Sequence, residues 1–141
     1  MMIDEVSFGI IPVQKKEGAW NVLLVKQHSG DHWGFPKGKP EIEENPRDAA
    51  VRELKEETGL EIANYLTPRE FIETYQFLRD GENVDKKVTY YLAQVKGEVV
   101  LQLEEISGCK WVPLSEASSH ITYAESKRVC QQVLKFIDNL M

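Results

Sequence analysis

Hydrophobic and polar positions along the 141-residue chain fall into two periods. Near the start, "VSFGIIPV" (6–13) and "AWNVLLVKQ" (19–27) read as strands, and the near-continuous apolar run of the second suits a buried one. Further on, "EFIETYQFL" (70–78) and "KKVTYYLAQV" (86–95) flank Asp80-Gly81, a hairpin pattern. "EVVLQL" (98–103) and "GCKWVPL" (108–114) read as two more short strands.

Helical periodicity occurs twice. From Pro46 to Thr58 the apolar stripe is Ala49, Ala50, Val51 and Leu54. Asn45 is suited to the N-cap, Pro46 to the first turn and Gly59 to the left-handed residue that ends the helix. A second helix runs from about Tyr123 to Asn139, with Val129, Val133, Phe136, Ile137 and Leu140 as its stripe. Thr122 and Glu125 have capping-box spacing. These elements predict an α+β fold, one mixed sheet with a helix on each face, and the length predicts a single domain over 1–141. Between the second strand and the first helix, "HSGDHWGFPKGKPEIEENP" is a long loop whose aromatic residues favour order.

Composition changes this picture little, with 42% hydrophobic and 28% charged residues. No apolar run is long enough to span a membrane. "MMIDEVSFGIIPV" lacks the organisation of a signal peptide, and Cys109 and Cys130 lack metal-ligand spacing, so a cytoplasmic chain with two free thiols is expected. A net charge of −6 argues against an extended DNA-binding surface while leaving phosphate substrates open, because a bound divalent metal changes the local sign.

The charge placed on the first helix is unusual. In "RELKEETGL" (52–60), Glu53, Glu56 and Glu57 stand at i, i+3 and i+4, where like charges repel, and near a helix C-terminus that already disfavours negative charge. A solvated face accounts for charge but not for crowding of one sign. Mg²⁺ takes oxygen ligands and needs only a few carboxylates besides water and substrate phosphate, so a cation shared among these glutamates accounts for both.

The whole run "GKPEIEENPRDAAVRELKEETGL", 38–60, places Gly, five residues, Glu, seven residues, Arg-Glu-Leu, one residue, Glu-Glu, one residue and Gly-Leu. It resembles the Nudix box at every fixed position; from average residue usage a chance match is on the order of 10⁻⁷. The order of elements outside the box is also similar to the Nudix fold, an α/β/α sandwich with a central mixed sheet. The resemblance implies a MutT-like hydrolase acting on a nucleoside diphosphate linked to another group, with Mg²⁺ or Mn²⁺ as cofactor. Carried over to this chain, it implies that Glu53, Glu56, Glu57 and the Gly38 carbonyl hold metal, that Arg52 orients a catalytic glutamate and that Glu44 braces the loop. Glu53, Glu57 and Glu105, the last in "LQLEEISGCKW", are its catalytic carboxylates, with Glu53 and Glu105 as candidates for proton acceptance and Glu104 adjacent.

Outside the box, "WGFPKG" (33–38) and "VTYYLAQV" (88–95) resemble segments of the asymmetrical dinucleoside tetraphosphate hydrolases, which cleave Ap4A to ATP and AMP. That resemblance maps Tyr90 and Tyr123 to an adenine-stacking pair; Lys37, Lys86 and Lys87 are candidate polyphosphate contacts, with Lys127 and His32 weaker candidates. Tyr75 matches approximately a tyrosine the subfamily places beyond the box. Lys39 and Glu43 depart from the subfamily's usual His and Gly, which bears on substrate rather than on metal. The expected partner is a small nucleotide, with no DNA and no membrane, and a monomer is expected. The alternatives are an RNA 5′-triphosphate pyrophosphohydrolase, which calls for a basic groove, a nucleoside triphosphate pyrophosphatase, and a non-catalytic nucleotide sensor, which has no need of the glutamates retained here.

Overall fold

A computed structural model describes residues 2–27 and 31–140; the first part of the long loop, 28–30, lies outside the described residues. In chain order the elements are β1 (Met2–Lys16), β2 (Ala19–Gln27), β3 (Trp33–Gly34), β4 (Lys37–Gly38), α1 (Pro46–Thr58), β5 (Glu61–Arg79), β6 (Glu82–Lys96), β7 (Ile106–Pro113), a short 3₁₀ helix (Leu114–Ser119) and α2 (Ala124–Asp138). The sheet runs β3-β2-β1-β6-β5, with β4 added to β1 and β7 to β2. It is mixed, because β1 and β6 run parallel while the other pairings are antiparallel.

Strand alternation divides the core into two layers. On one face Ile11 and Val13 of β1, Val22 and Leu24 of β2 and Val88, Tyr90 and Leu92 of β6 pack under Val129, Cys130, Val133 and Ile137 of α2. The intervening residues Ile10, Leu23, Tyr91, Ala93 and Val95 pack under Ala50 and Leu54 of α1. A helix therefore covers each face, giving the α+β sandwich that the two periodicities predict. Both cysteines are free thiols, Cys130 in the core and Cys109 half-buried.

Two hairpins are closed by two-residue turns with both positions at positive φ, Glu17-Gly18 at 53° and 83° and Asp80-Gly81 at 52° and 79°. This is the turn whose twist matches that of the flanking strands. The hairpin at Asp80-Gly81 is longer than its alternating core suggests, because β5 and β6 stay paired from Glu61 to Lys96 through irregularities near Asn64 and between Tyr65 and Glu70.

Three local expectations are corrected. Val99 to Leu103 do not form a strand. Their backbone is instead used at the end of α1, where Val100 N–H donates to the Thr58 carbonyl at 2.7 Å and Gln102 N–H to the Glu57 carbonyl at 3.3 Å. These carbonyls have no partner within the helix, and the segment supplies one. Thr122 does not cap α2, which has no side-chain cap; its hydroxyl accepts from the Trp33 N–H at 2.8 Å, and the Thr122 N–H donates to the Trp33 carbonyl at 3.1 Å. Leu140 lies beyond the end of α2 and is exposed, and Cys130 takes a place in the stripe.

Candidate active site

Helix α1 starts and stops as its sequence dictates. The Asn45 side chain accepts from Asp48 N–H at 2.8 Å, Pro46 occupies the first turn, and Gly59 ends the helix at φ 77°. Its stripe of small apolar residues lets it lie close to the sheet, which turns Glu57 inward. Glu57 is 1% exposed, and neither of its carboxylate oxygens has a hydrogen-bond partner among the described residues.

Burial, reinforced by the neighbouring charges of Glu53 and Glu105, pushes the Glu57 carboxyl up to about 9, against a smaller opposing effect of Lys37. Burial likewise raises the Glu53 carboxyl, although Glu57 and Arg52 act in the other direction. Glu53, Glu57 and Glu105 each present an oxygen within 4.8 Å of the others. Glu105 reaches this position because the turn before β7 is fastened to the end of α1. Gly38 of β4 lies against the same cluster, and any side chain there would overlap the Glu53 carboxylate.

The donor set decides which group suits this place. Three convergent carboxylates, one of them buried with two unpartnered oxygens, form an all-oxygen, like-charged set. A hard divalent cation such as Mg²⁺ or Mn²⁺ fits it, whereas a soft metal would call for sulfur or imidazole.

Arg52 sits at the edge of the cluster. Its Nε and Nη2 donate to Glu44 Oε2 and Oε1, both at 2.9 Å, while Nη1 donates to Glu53 and to Glu56 at 3.1 Å and Nη2 also to the Lys39 carbonyl at 3.0 Å. The guanidinium holds the Glu44 carboxyl down at about 2. Glu56 is thus drawn toward Arg52 and is 46% exposed. The close group of oxygens is Glu53, Glu57 and Glu105, rather than the three glutamates of the helix.

Beside the cluster opens a cavity of about 650 Å³, lined chiefly by Trp33, Phe35, Tyr75, Phe77, Tyr90 and Tyr123, with Lys37 and His32 also in its wall. Trp33, in its wall, is clasped to Thr122, which binds the long loop to the start of α2. Tyr90 is 1% exposed, packed edge-on against Phe35 with ring centroids 5.3 Å apart, so it contributes an edge to the cavity and no open face. Tyr123 is 53% exposed, its ring 5.2 Å from that of His32. Tyr75 is half-buried, its ring 5.9 Å from that of Phe77, and Trp33 and Phe77 are half-buried as well.

The lysines separate in the same way. Lys37 is half-buried between the cavity and Glu57. Lys86 is buried and paired with Glu5 at 2.9 Å, and burial lowers its pKa in spite of that partner. Lys87 is exposed and, by strand alternation, on the opposite face of β6 from Lys86 and Tyr90. Lys127 donates to the Ser118 carbonyl at 2.6 Å, at the end of the 3₁₀ helix. Burial and the Lys37 charge depress the His32 pKa, which favours the neutral imidazole.

A buried carboxylate in the cavity wall was not singled out from the sequence. Glu73 lies in β5 between Phe71 and Tyr75 and is 5% exposed; its Oε2 accepts from the Ser126 hydroxyl at 2.9 Å. The signal was available, because Phe71, Glu73, Tyr75 and Phe77 alternate and so share one face. A carboxylate in an apolar register calls for an explanation.

Comparison with known proteins is consistent with this geometry. The family model "NUDIX domain" matches residues 4–133. The "Putative mutator protein MutT4" of Mycobacterium tuberculosis is 35% identical over 109 residues, 77% of this chain and 43% of that protein. The chain therefore spans less than half the length of that relative. The asymmetrical bis(5′-nucleosyl)-tetraphosphatase of Rattus norvegicus is 31% identical over 118 residues, covering 82% of this chain and 79% of that one. Among solved structures, a Caenorhabditis elegans Ap4A hydrolase binary complex superposes with a TM-score of 0.79 at 27% identity, over 96% of this chain and 98% of that chain.

Proposed function

The chain belongs to the NUDIX domain family, and we propose that it is a divalent-metal-dependent hydrolase of phosphoanhydride bonds whose substrate is a dinucleoside polyphosphate, with Ap4A cleaved to ATP and AMP. The observation that carries this reading is the placement of the buried, unpartnered Glu57 carboxylate, within reach of Glu53 and Glu105, beside an aromatic cavity large enough for a nucleoside. Relatives named for this activity support the substrate class.

In this reading Glu53, Glu57 and Glu105 hold the cation, with the Gly38 carbonyl and Glu56 as further oxygen donors. A divalent cation held by these residues would supply charge neutralisation at the phosphate oxygens and a site for the attacking water. Arg52 fixes the Glu53 carboxylate, so that Glu53 does not have to be ordered during the reaction. A proton lost by the attacking water goes to Glu105 or Glu53, whichever carboxylate keeps a free oxygen. Lys37 and the neutral His32 receive the polyphosphate between cluster and cavity, and Tyr75 and Tyr123 flank a base. Bond cleavage then depends on positioning and charge, as phosphoryl transfer requires.

The test is an Ap4A digest with Mg²⁺ in ¹⁸O-water, with products separated by chromatography and weighed. ATP and AMP, with label on one of them, support the reading and identify the phosphorus attacked. Slow cleavage beside rapid pyrophosphate release from a triphosphorylated RNA or a nucleoside triphosphate overturns the substrate and leaves the chemistry.

A further inference from the structure

The deep end of the aromatic cavity contains a carboxylate that the hydrolysis does not use. Glu73 comes from β5, and Ser126 in the first turn of α2 holds its Oε2 at 2.9 Å. Oε1 is shielded from bulk water and accepts no hydrogen bond among the described residues. The Tyr90 hydroxyl stands close to the same carboxylate, where burial, the Glu73 charge and a hydrogen-bonding interaction with it raise the phenol pKa well above its usual value, but no hydrogen bond of good geometry reaches Oε1. Buried acceptors are rarely left in this condition.

We propose that Glu73 reads the nucleobase, its Oε1 accepting a hydrogen bond from an amino or ring N–H on the base edge; this rests on the reading that the cavity takes a nucleoside. Three features argue for a base. Six aromatic side chains share the wall with polar ones, and Glu73 Oε1 is the buried side-chain atom of that lining left without a partner among the described residues. The lining carries both signs of charge, and Lys37 is the one whose charge is felt at Glu57, so phosphates are drawn toward Lys37 and repelled by Glu73. A carboxylate offers only acceptors, so its complement is a donor, such as the amino group of adenine.

A site built around such a bond rejects an analogue that lacks the donor. The experiment compares dissociation constants of AMP and of purine riboside 5′-monophosphate, which lacks the amino group, by quenching of tryptophan fluorescence. Neither probe contains a phosphoanhydride bond, so binding is read apart from turnover. The wild-type protein is expected to prefer AMP by about tenfold to a hundredfold, the range of a hydrogen bond to a charged group. Glu73→Met is expected to remove the preference, and Glu73→Gln, which retains an acceptor oxygen, to restore part of it. Equal wild-type affinity for the two probes overturns the inference whether or not the variants fold. Preference for AMP without Ap4A cleavage removes the tetraphosphate substrate and leaves base reading in place. Ap4A cleavage without preference removes base reading alone, and binding of neither probe removes both.

Discussion

Arg52 grips Glu44 with two parallel hydrogen bonds, Nε to Oε2 and Nη2 to Oε1, each 2.9 Å long. That fork ties the loop before α1 to the helix, and the remaining Nη1 protons reach Glu53 and Glu56. A lysine cannot reproduce a planar, bidentate contact while serving two further carboxylates. Arg52→Lys is therefore expected to lower kcat about 10- to 100-fold, as loss of support for a metal-ligating group typically does, with a smaller change in KM. Steady-state kinetics on Ap4A check this; unchanged kcat would remove Arg52 from its positioning role.

Glu57 makes the metal assignment testable by stability as well as by rate. Without a cation its carboxyl is buried beside two others, which is why it is pushed up to about 9. Glu57→Gln relieves that crowding, so the metal-free variant should be at least as stable as the parent. Added Mg²⁺ or Mn²⁺ should raise the Tm of the parent, since a ligand of the native state stabilises it by mass action, and should leave the variant nearly unmoved. Turnover should fall by about three powers of ten. A metal-dependent Tm shift of full size in Glu57→Gln would exclude Glu57 from the metal site.

The aromatic residues of the cavity should divide into two kinds. Tyr123 is exposed and Tyr75 half-buried, whereas Tyr90 is buried. Truncating either of the first two to Ala should raise KM for a dinucleotide by roughly 5- to 100-fold, the worth of one stacked base. Tyr90→Ala should instead cost about 3–5 kcal/mol of stability, the usual cost of emptying a large aromatic site in a core. Denaturant melts beside kinetics separate these effects; a Tyr90→Ala protein of normal stability and raised KM would return Tyr90 to the stacking role.

Glu5 gives the fold an acid-sensitive point outside the cluster. Burial alone would raise its carboxyl, but hydrogen bonds from Lys86 and Arg79, with Lys39 nearby, outweigh burial and hold it at about 2. A carboxyl depressed below its ordinary value of 4.5 contributes stability that is complete above pH 4.5 and is lost as pH falls toward 2. Glu5→Gln should cost about 3 kcal/mol at pH 7, because it leaves Lys86 buried without its counter-charge. The difference from the parent should shrink as pH falls from 4.5 to 2. Urea melts across that range check it, and a pH-independent difference would contradict the pairing.

The glutamate cluster, helix α1 and the two-layered core were legible in the chain because each rests on local rules. Period two and period 3.6 fix which residues face the core, and Asn45, Pro46 and Gly59 fix where α1 starts and stops. The i, i+4 spacing of Glu53 with Glu57 and of Arg52 with Glu56 on one helix brings those pairs together without help from elsewhere.

What the sequence left open depended on contacts between distant segments. "EVVLQL" has the composition of a strand, but the orphan carbonyls of Glu57 and Thr58 take its backbone, and Glu105 reaches the cluster for that reason. Thr122 has the spacing of a cap, yet Trp33, 89 positions away, offers its hydroxyl a better-placed donor. Lys86 and Tyr90 have the chemistry of ligand contacts, and burial turns one into the partner of Glu5 and the other into a core ring. Residue type and spacing determined which chemistry the chain carries. Packing decided which copies of each residue type face the cavity, because burial and competition for hydrogen bonds are settled only once the sheet has brought β5, β6 and the start of α2 together.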